Sequence, residues 1–491
     1  MSRVVVVGAG VGGLAAAARL AALGHGVTVC EASAQVGGKL GLYERDGFRF
    51  DTGPSLLTMP QVFRDLFADT GGWPEDLELQ RLDPIARYRY PDGATFDATD
   101  DLQEFCEHLD TALGTGNGED WRAFTARAQR VWEASRGPFL ESALDGPATL
   151  ARLALRRPRD IAAIAPGRSL RSLGLRYLRD PRLRTFLDRY ATYTGSDPRR
   201  APAALAAVPY VEQAYGGWYV PGGLRRLGDA VHERALERGA LLLLDAPVAR
   251  ITTAQGKVDG VTLADGRLLA ADLVVANADA AHVYGQLIDS RVAARRLARA
   301  TPSLAGFVLL LAVQGRTPGL ANHNVLFPPD YDAEFDAVFG DPAQPVPDPT
   351  LYVSAPDDAA VRPDGCEAWF VLVNAPRHGR GRGAIDWTEP GLRERYAERL
   401  LDLLGRRGLP VRDRVLWSHA LSPADLEERT GAVGGAIYGT SSNGAAAAFL
   451  RPANRSPVPG LFLVGGSAHP GGGLPLVALS AQVVAGLVGP A

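Results

Sequence analysis

Arg3-Val-Val-Val-Val7-Gly8-Ala-Gly10-Val-Gly12-Gly13 stands near the start of the chain, and an alanine-rich segment follows it. The β-branched run 3–7 is typical of a buried parallel strand. Leu14–Leu23 predicts a helix that Gly24 ends, and Val27–Glu31 predicts a second strand. The stretch therefore has the pattern of a βαβ unit in an α/β fold.

The glycine spacing within this unit predicts a dinucleotide site. Gly8, Gly10 and Gly13 fit G-x-G-x-x-G, and Gly12 belongs to the same turn. Such glycines allow a tight turn, a close backbone approach to pyrophosphate and close packing of helix on strand. Glu31 ends the second strand, where its carboxylate can accept hydrogen bonds from ribose hydroxyls and would repel a 2′-phosphate. The alternative is a glycine-rich turn in an unrelated α/β protein.

A second glycine-rich stretch favours FAD over a nicotinamide dinucleotide. Gly37-Gly38 lets the chain pass close to the pyrophosphate again, and Lys39 would add a positive charge there. Gly53-Pro54-Ser55 would place backbone N–H groups near the flavin ring.

These elements resemble the flavin amine oxidase and phytoene desaturase superfamily, whose members carry a closing glycine-rich motif. The chain has this motif at Gly465-Gly466 and Gly473-Leu474-Pro475, between a predicted strand at 461–464 and a predicted helix at 476–488. The helix N-terminus would stabilise the negative charge that a reduced flavin gains near N1 and O2. Many relatives have an aspartate where Gly466 or Ser467 stands, so we expect a backbone or hydroxyl contact instead.

Further motifs are similar to bacterial carotenoid desaturases and not to amine oxidases. They are His469–Pro475, Arg451–Ser456, Tyr219–Leu224 and Asn277–Asp279, and the resemblance covers nearly the whole chain. Gly439–Asn443 is more similar to the hydroxycarotenoid 3,4-desaturase branch. The resemblance implies an FAD-dependent desaturase, in first place a 1-hydroxycarotenoid 3,4-desaturase, that forms C=C bonds in a long polyene by hydride transfer to flavin N5 and proton loss.

The same resemblance implies a two-domain architecture. We expect a discontinuous Rossmann-like FAD-binding domain at 1–70, 215–290 and 415–491. An α+β substrate and membrane-facing domain is expected at 71–214 and 291–414. Val248 opens a predicted hairpin, 248–263, with Asp265-Gly266 as its turn, and completes the expected cofactor-binding set.

Composition gives expectations about nucleic-acid partners, metal sites and membrane spans. A formal net charge of −3 gives no reason to expect nucleic acid as a partner. The three cysteines and eight histidines lie in no zinc, redox or metalloprotease spacing, so we expect no metal site. No signal peptide or run of about 18 apolar residues is present, which favours a cytoplasmic protein peripheral to the membrane.

A basic stretch is the candidate for a membrane-binding surface. Residues 151–190 hold eleven arginines and three aspartates, with leucine and isoleucine between them. This pattern suits an anionic membrane surface, and it equally suits a solvated helical face. Aromatic residues are candidates for lining a polyene tunnel: Tyr193, Tyr210, Tyr215, Trp218, Tyr219, Trp369 and Phe370.

No pattern identifies a catalytic base. His469 is either a flavin neighbour or a residue that shapes its turn, and Asp51 is expected to bond backbone groups. The electron acceptor would be oxygen or a quinone. Alternative functions are a phytoene desaturase, a carotenoid isomerase or ketolase, an amine or porphyrinogen oxidase, and a non-catalytic lipid or prenyl-protein carrier of the same fold.

Overall fold

The structure, a computed structural model, describes residues 1–144, 155–444, 447 and 451–491. The helices are α1 (Val11–Ala22), α2 (Gln61–Thr70), α3 (Leu102–Leu113), α4 (Asn117–Ser135), α5 (Pro158–Ile164), α6 (Leu170–Tyr177), α7 (Pro181–Arg189), α8 (Ala207–Tyr215), α9 (Arg225–Glu237), α10 (Ala280–His282), α11 (Arg291–Leu297), α12 (Asp332–Phe339), α13 (Leu392–Arg406), α14 (Pro423–Thr430) and α15 (Leu474–Val488). The strands are β1 (Arg3–Val7), β2 (Gly26–Cys30), β3 (Leu42–Arg45), β4 (Phe48–Asp51), β5 (Gln80–Arg81), β6 (Ala86–Arg89), β7 (Thr95–Ala98), β8 (Trp218–Tyr219), β9 (Leu241–Leu243), β10 (Val248–Ala254), β11 (Lys257–Leu263), β12 (Leu268–Ala270), β13 (Leu273–Ala276), β14 (Ala305–Gln314), β15 (His323–Leu326), β16 (Leu351–Ser354), β17 (Cys366–Ala375), β18 (Arg377–His378), β19 (Ala384–Ile385), β20 (Val415–Leu421) and β21 (Leu461–Leu463).

A five-stranded parallel sheet carries the glycine turn. Its order is β21-β13-β1-β2-β9, so strands from the beginning, middle and end of the chain lie side by side. The valines of β1 alternate between two cores, since Val4 and Val6 pack on the side of α1 while Val5 and Val7 pack on the side of β10 and β11. Burial on both faces explains the continuous β-branched run.

The predicted hairpin is a three-stranded antiparallel sheet, β10-β11-β12. The turn between β10 and β11 is Gln255-Gly256, where both residues have positive φ angles. Asp265-Gly266 instead joins β11 to β12, so its assignment as the turn of the first hairpin is wrong. Both dipeptides suit a tight turn, and sequence alone did not show that the segment contains a third strand.

A seven-stranded sheet, β20-β14-β17-β16-β15-β6-β7, forms the core of the second part of the molecule. Alternate residues of β14 face opposite ways: Phe307 and Leu309 pack with the leucines of α13, whereas Gly306 and Val308 face a large cavity. Strand β20 pairs with β14 in this sheet. The expected FAD-binding segment at 415–491 therefore begins too early, because its first strand belongs to the other sheet.

Helices α3 to α8 complete this second part around an aromatic core. Its fully buried members include Phe105, Trp121, Phe124, Phe186 and Tyr190. Among the helices of the described residues, none is both long and apolar enough to cross a bilayer.

Candidate cofactor and substrate site

One cavity of about 1590 Å³ extends from the carboxyl end of β1 to the face of the seven-stranded sheet. Pockets for a single small ligand are commonly about 300–1,000 Å³. The volume therefore accommodates a cofactor and a second molecule side by side.

The first glycine turn forms the floor of one end. Gly8 has φ +96°, and a Cβ on Gly13 would lie 2.2 Å from the carbonyl oxygen of Gly8. The first backbone bond of α1 runs from Leu14 N to Gly10 O, at 3.0 Å, and no side chain caps the helix. The N–H groups of Val11, Gly12 and Gly13 have no acceptor among the described residues, so they can bind an anionic ligand at the helix N-terminus.

Asn277, which directly follows β13, connects this turn to the C-terminal loop. Its Nδ2 donates to the carbonyl oxygen of Gly8, at 3.3 Å. A Cβ on Gly12 would approach Asn277 Oδ1 to 2.8 Å, and a Cβ on Gly465 would approach it to 2.4 Å. The sequence indicates Asn277 only as part of the Asn277–Asp279 motif. Its position after a strand adjacent to β1 explains its role in holding both glycine loops.

The second glycine stretch passes beside the first. Gly37 N donates to Ala9 O, at 2.8 Å, and a Cβ on Gly38 would lie 3.3 Å from Gly10 Cα. Gly53 packs against the same segment, because a Cβ there would meet the carbonyl oxygen of Lys39 at 2.0 Å. Pro54 and Ser55 also line the cavity. Close backbone contact therefore requires glycine in both loops.

Lys39 does not present the free positive charge expected from the sequence. Its Nζ donates to the carbonyl oxygens of Ala436 and Ile437, at 2.8 and 2.6 Å. Burial lowers the pKa of Lys39, and the charge of Asp279 opposes this shift. The ammonium group fixes the 436–437 segment against the cofactor end of the cavity.

Glu31 lies beside the first turn, as its place after β2 predicts. Its Oε2 accepts a hydrogen bond from Ala9 N at 2.7 Å, and its Oε1 accepts one from Ser33 N at 3.0 Å. Val248 lines the same end of the cavity at the start of β10. The carboxylate thus holds the turn in addition to facing the place expected for a ribose.

The closing motif is fixed by two buried side chains. Arg451 donates to the carbonyl oxygens of Gly466 and Thr440, at 2.9 and 2.6 Å. Asn454 donates to the carbonyl oxygen of His469, at 2.8 Å. These bonds explain the Arg-Pro-Ala-Asn motif as the support of the loop. Helix α15 starts after Gly473 without a side-chain cap, and Leu474 and Pro475 line the cavity beside it.

Ser467 and His469 have their polar groups occupied by protein. Ser467 Oγ accepts a hydrogen bond from Ala280 N at 2.9 Å. His469 Nε2 lies 3.0 Å from the carbonyl oxygen of Ser142, and burial lowers the pKa of His469. The ring both lines the cavity and secures its loop. Since the Ser467 hydroxyl is occupied, we expect backbone groups to make the cofactor contacts of this loop.

The opposite end of the cavity is lined by apolar and aromatic side chains. Of the seven aromatic residues expected there, Tyr193 and Phe370 line it, and the other five lie elsewhere. Trp369, for example, alternates with Phe370 on β17 and packs in the core under α13. The lining side chains that sequence reasoning missed include Trp132, Phe139, Ile161, Ile164, Val308 and Leu372.

A buried arginine interrupts this apolar wall. Arg189 is 8% exposed, and its Nη1 donates to Tyr193 Oη at 2.8 Å. Tyr193 in turn donates to Glu212 Oε2 at 3.2 Å, and Tyr190 donates to Glu212 Oε1 at 2.7 Å. Burial opposes the charge of Arg189, but the neighbouring Tyr193, Tyr88 and Glu212 oxygens hold its pKa well above the ordinary value. Nothing in the sequence distinguishes Arg189 from the other arginines of 151–190.

A second polar chain connects the flavin-side loop to the seven-stranded sheet. Ser55 Oγ lies 2.6 Å from Tyr352 Oη, which lies 2.8 Å from His323 Nδ1. Burial, assisted by the charge of Arg189, lowers the pKa of His323 to about 3, so this imidazole is neutral. Asp51 bonds backbone groups, as expected, by accepting from Leu224 N and Arg225 N at 2.6 and 3.1 Å.

These features fit FAD. Two uncapped helices, α1 and α15, begin in one cavity, glycines leave space where Cβ atoms would collide, and a carboxylate stands at the ribose position. A flavin needs these groups along its pyrophosphate, its ribose and its N1–O2 edge. A dinucleotide cradle joined to a deep apolar cavity defines an FAD-dependent oxidoreductase.

The chain belongs to the flavin containing amine oxidoreductase family, whose sequence profile matches residues 11–488. FAD is therefore its cofactor. A solved structure with this fold is cyclohexylamine oxidase from Brevibacterium oxydans, with a TM-score of 0.64 and 17% identity over 99% of this chain and 98% of that one. At this identity the likeness concerns the fold alone.

Curated relatives match the whole length and are named as carotenoid enzymes. Hydroxyneurosporene desaturase of Cereibacter sphaeroides is 37% identical over 98% of this chain and 96% of its own. The 4,4'-diapolycopene oxygenase of Methylomonas sp. is 35% identical over 98% and 97%. The 1-hydroxycarotenoid 3,4-desaturase of a Flavobacterium species is 32% identical over 99% of both chains. The resemblance to bacterial carotenoid desaturases is confirmed.

Proposed function

We propose that the protein desaturates a hydroxylated carotenoid at its 3,4 bond, as a 1-hydroxycarotenoid 3,4-desaturase. The observation that carries the proposal is the continuity of the cavity, which joins the FAD cradle to a long apolar wall. Two of the relatives named above are desaturases of hydroxylated carotenoids. A long apolar polyene fits this wall better than a small cationic amine does.

Desaturation removes two hydrogens from neighbouring carbons and so acts on a CH–CH group. FAD, when bound, supplies the hydride acceptor. The chain holds the substrate along the apolar wall and excludes water, which is its main contribution to rate. Side chains such as Val308, Leu372 and Phe370 shape that wall from the seven-stranded sheet.

A carotenoid oxygenase is the second candidate, because the Methylomonas relative has that name and comparable identity. The two reactions differ in the mass of the product. A desaturase product is lighter than its substrate by two hydrogens for each new double bond, whereas an oxygenase product gains oxygen.

We also propose that the substrate enters from the cytoplasmic face of a membrane. Helix α5 contributes Ile161 and Ile164 to the cavity lining, and the neighbouring Leu155 is 85% exposed. An apolar lining next to an exposed leucine suits a ligand that is dissolved in lipid. The electron acceptor proposed for the reduced enzyme is oxygen or a membrane quinone.

The basic stretch supports this orientation only in part. Arg157, Arg171, Arg179 and Arg182 form ion pairs with aspartates, and Arg189 is buried. Arg152 and Leu153 lie outside the described residues. In the part of the stretch that the structure describes, four exposed arginines take part in no ion pair, and we call them the basic patch: Arg156, Arg159, Arg168 and Arg176.

Co-expression tests the proposed function. Cells that make a 1-hydroxycarotenoid but lack its 3,4-desaturase should yield a product lighter by two hydrogens, with absorption shifted to longer wavelength, when they express this chain. The control is Gly465→Val, whose side chain would collide with Asn277 and remove the FAD cradle. Accumulation of an oxygenated product, or conversion of hydrocarbon carotenoids only, would refute the assignment.

A further inference from the structure

Arg189 has hydrogen-bond donors for which the described residues provide no acceptor. A guanidinium carries five N–H groups and no acceptor. Among the hydrogen bonds of the described residues, the Arg189 guanidinium donates one, to Tyr193 Oη. Arg189 is buried, with 8% of its surface exposed, and it lines the cavity. Its other N–H groups, for which the described residues provide no acceptor, are available at the cavity wall.

Aromatic rings surround this cation on several sides. Arg189 Cζ lies 5.1 Å from the ring centre of Tyr193, 5.6 Å from that of Tyr352 and 5.8 Å from that of Tyr88. These rings hold the guanidinium by cation–π attraction. The arrangement fixes the direction of the free donors in a wall that is otherwise mainly apolar.

Glu212 determines which ligand suits these donors. The carboxylate is buried and is connected to Arg189 through the Tyr193 hydroxyl. Burial raises the pKa of Glu212, whereas the charge of Arg189 and the hydrogen bonds from Tyr190 and Tyr193 oppose this shift and favour the carboxylate. In that form Glu212 balances the charge of the guanidinium, so an anionic ligand is not required. A neutral oxygen that accepts a hydrogen bond, as in an alcohol or a ketone, satisfies the remaining N–H groups, whereas a hydrocarbon leaves them unpaired at considerable cost.

The donors lie near the reacting end of the cavity. The Tyr352 ring against Arg189 has its hydroxyl 2.6 Å from Ser55 Oγ, in the loop expected beside the flavin. Tyr438 also lines the cavity, and its ring edge would lie 2.4 Å from a Cβ on Gly472 of the closing loop. Arg189 is thus one side chain, that of Tyr352, away from the loop that holds Ser55.

We propose that Arg189, oriented by Tyr193, binds the oxygen at the end of the substrate and so selects a hydroxylated polyene and sets which bond reacts. The inference rests on the proposed function. In a 1-hydroxycarotenoid, three bonds of about 1.5 Å each separate the oxygen from C3. An oxygen held beside the flavin loops therefore places the 3,4 bond at the flavin. A hydrocarbon lacks this anchor and slides along the apolar wall.

The test compares two polyenes that differ only in a hydroxyl or a hydrogen at C1. We expect the wild-type holoenzyme to favour the hydroxylated one in kcat/KM by about 100-fold or more, since an unpaired buried polar group strongly disfavours the other. In Arg189→Leu this preference should fall to within about tenfold, through a lower rate on the alcohol and an equal or higher rate on the hydrocarbon. Tyr193→Phe should give an intermediate preference.

Arg184→Leu is the matched control, because Arg184 lies on the same helix and donates instead to the carbonyl oxygens of Leu178 and Arg179. Its preference should equal that of the wild type. Binding provides a second readout, since Trp132 lines the cavity and its fluorescence is quenched by a bound polyene. If Arg189→Leu does not fold, wild-type affinity for the two polyenes decides: equal affinity overturns the proposal.

The outcomes separate the two proposals. A wild-type enzyme that converts only the hydrocarbon contradicts the proposed function. A wild-type enzyme that prefers the alcohol, with the same preference retained in Arg189→Leu, contradicts the role of Arg189 alone.

Discussion

Glu31 and Asn277 hold the first glycine turn from the ends of β2 and β13, the two strands that flank β1. Glu31 accepts from the N–H of Ala9, and Asn277 donates to the carbonyl oxygen of Gly8. Both bonds act on backbone that must approach the cofactor closely. The type of residue at 31 was predictable from its spacing to the glycines, but the bond to Ala9 was not, because it depends on the three-dimensional path of the turn.

Glu31→Ala should weaken FAD binding by about 10- to 100-fold, the effect of losing a hydrogen bond to a charged group. The dissociation constant can be measured from the quenching of flavin fluorescence as FAD is added to the apoprotein. Glu107→Ala, at an exposed position on α3, is the control and should bind FAD like the wild type. Equal affinity of Glu31→Ala and wild type would show that the carboxylate does not support the site.

His323 predicts a pH dependence of stability. Burial lowers its folded-state pKa to about 3, whereas 6.5 is the ordinary value. Between these values the unfolded chain binds a proton that the folded chain does not, so stability is lost as the pH falls below 6.5. This one group changes the free energy of unfolding by at most about 1.4 kcal/mol per pH unit.

His323→Asn retains an acceptor for the Tyr352 hydroxyl but cannot titrate. The free energy of unfolding can be measured by urea denaturation at about pH 6 and about pH 4.5. Between these pH values the wild type should lose more of this free energy than the variant, by up to about 2 kcal/mol. Parallel losses in the two proteins would mean that His323 is protonated in the folded state.

At the scale of elements, the site depends on two helices that start at glycines and on the strands before them. Strand β1 and helix α1 were predictable because their signals are local: a β-branched run, glycines at fixed spacing and an alanine-rich segment. The expected FAD-binding segment begins too early at residue 415, because the sequence does not show that the strand which starts there pairs with β14. Arg189 could not be identified because its position depends on how α7 packs against the aromatic core.

Gly13→Ala tests the contact between α1 and β1. The new Cβ would lie 2.2 Å from the carbonyl oxygen of Gly8, a backbone atom that cannot move aside easily. We expect a loss of about 1–3 kcal/mol in stability, as for other overpacked sites. The control is Gly486→Ala in α15, where a Cβ meets nothing within 4 Å and should add about 0.5–1 kcal/mol. Similar midpoints of thermal unfolding in both variants would contradict this packing.

At the scale of the whole molecule, the two sheets enclose one cavity, and α5 borders it near the basic patch. The family and its general architecture were predictable from motifs spread over nearly the whole chain. The course of the cavity was not, since most of the expected tunnel aromatics face the core or another surface. Which side chains face a cavity depends on strand alternation within a particular sheet, as for Trp369 and Phe370.

Neutralising three residues of the basic patch should reduce membrane binding. The triple variant Arg159→Gln, Arg168→Gln, Arg176→Gln is expected to bind anionic phosphatidylglycerol vesicles about 100-fold more weakly in flotation assays, at about 1 kcal/mol per arginine. The control triple Arg250→Gln, Arg380→Gln, Arg406→Gln makes the same change of charge at exposed positions elsewhere. Equal binding of the two triples would remove the patch from the proposed membrane surface.

The most direct test of the account is a single turnover without oxygen or quinone. The purified, FAD-loaded protein is mixed with an equimolar 1-hydroxycarotenoid, and the visible flavin absorbance and the mass of the polyene are followed together. We expect the oxidised-flavin band to bleach while one product appears that is lighter by two hydrogens. A flavin that stays oxidised, or a polyene of unchanged mass, would contradict the claim that this cavity brings FAD and a hydroxylated polyene together for desaturation.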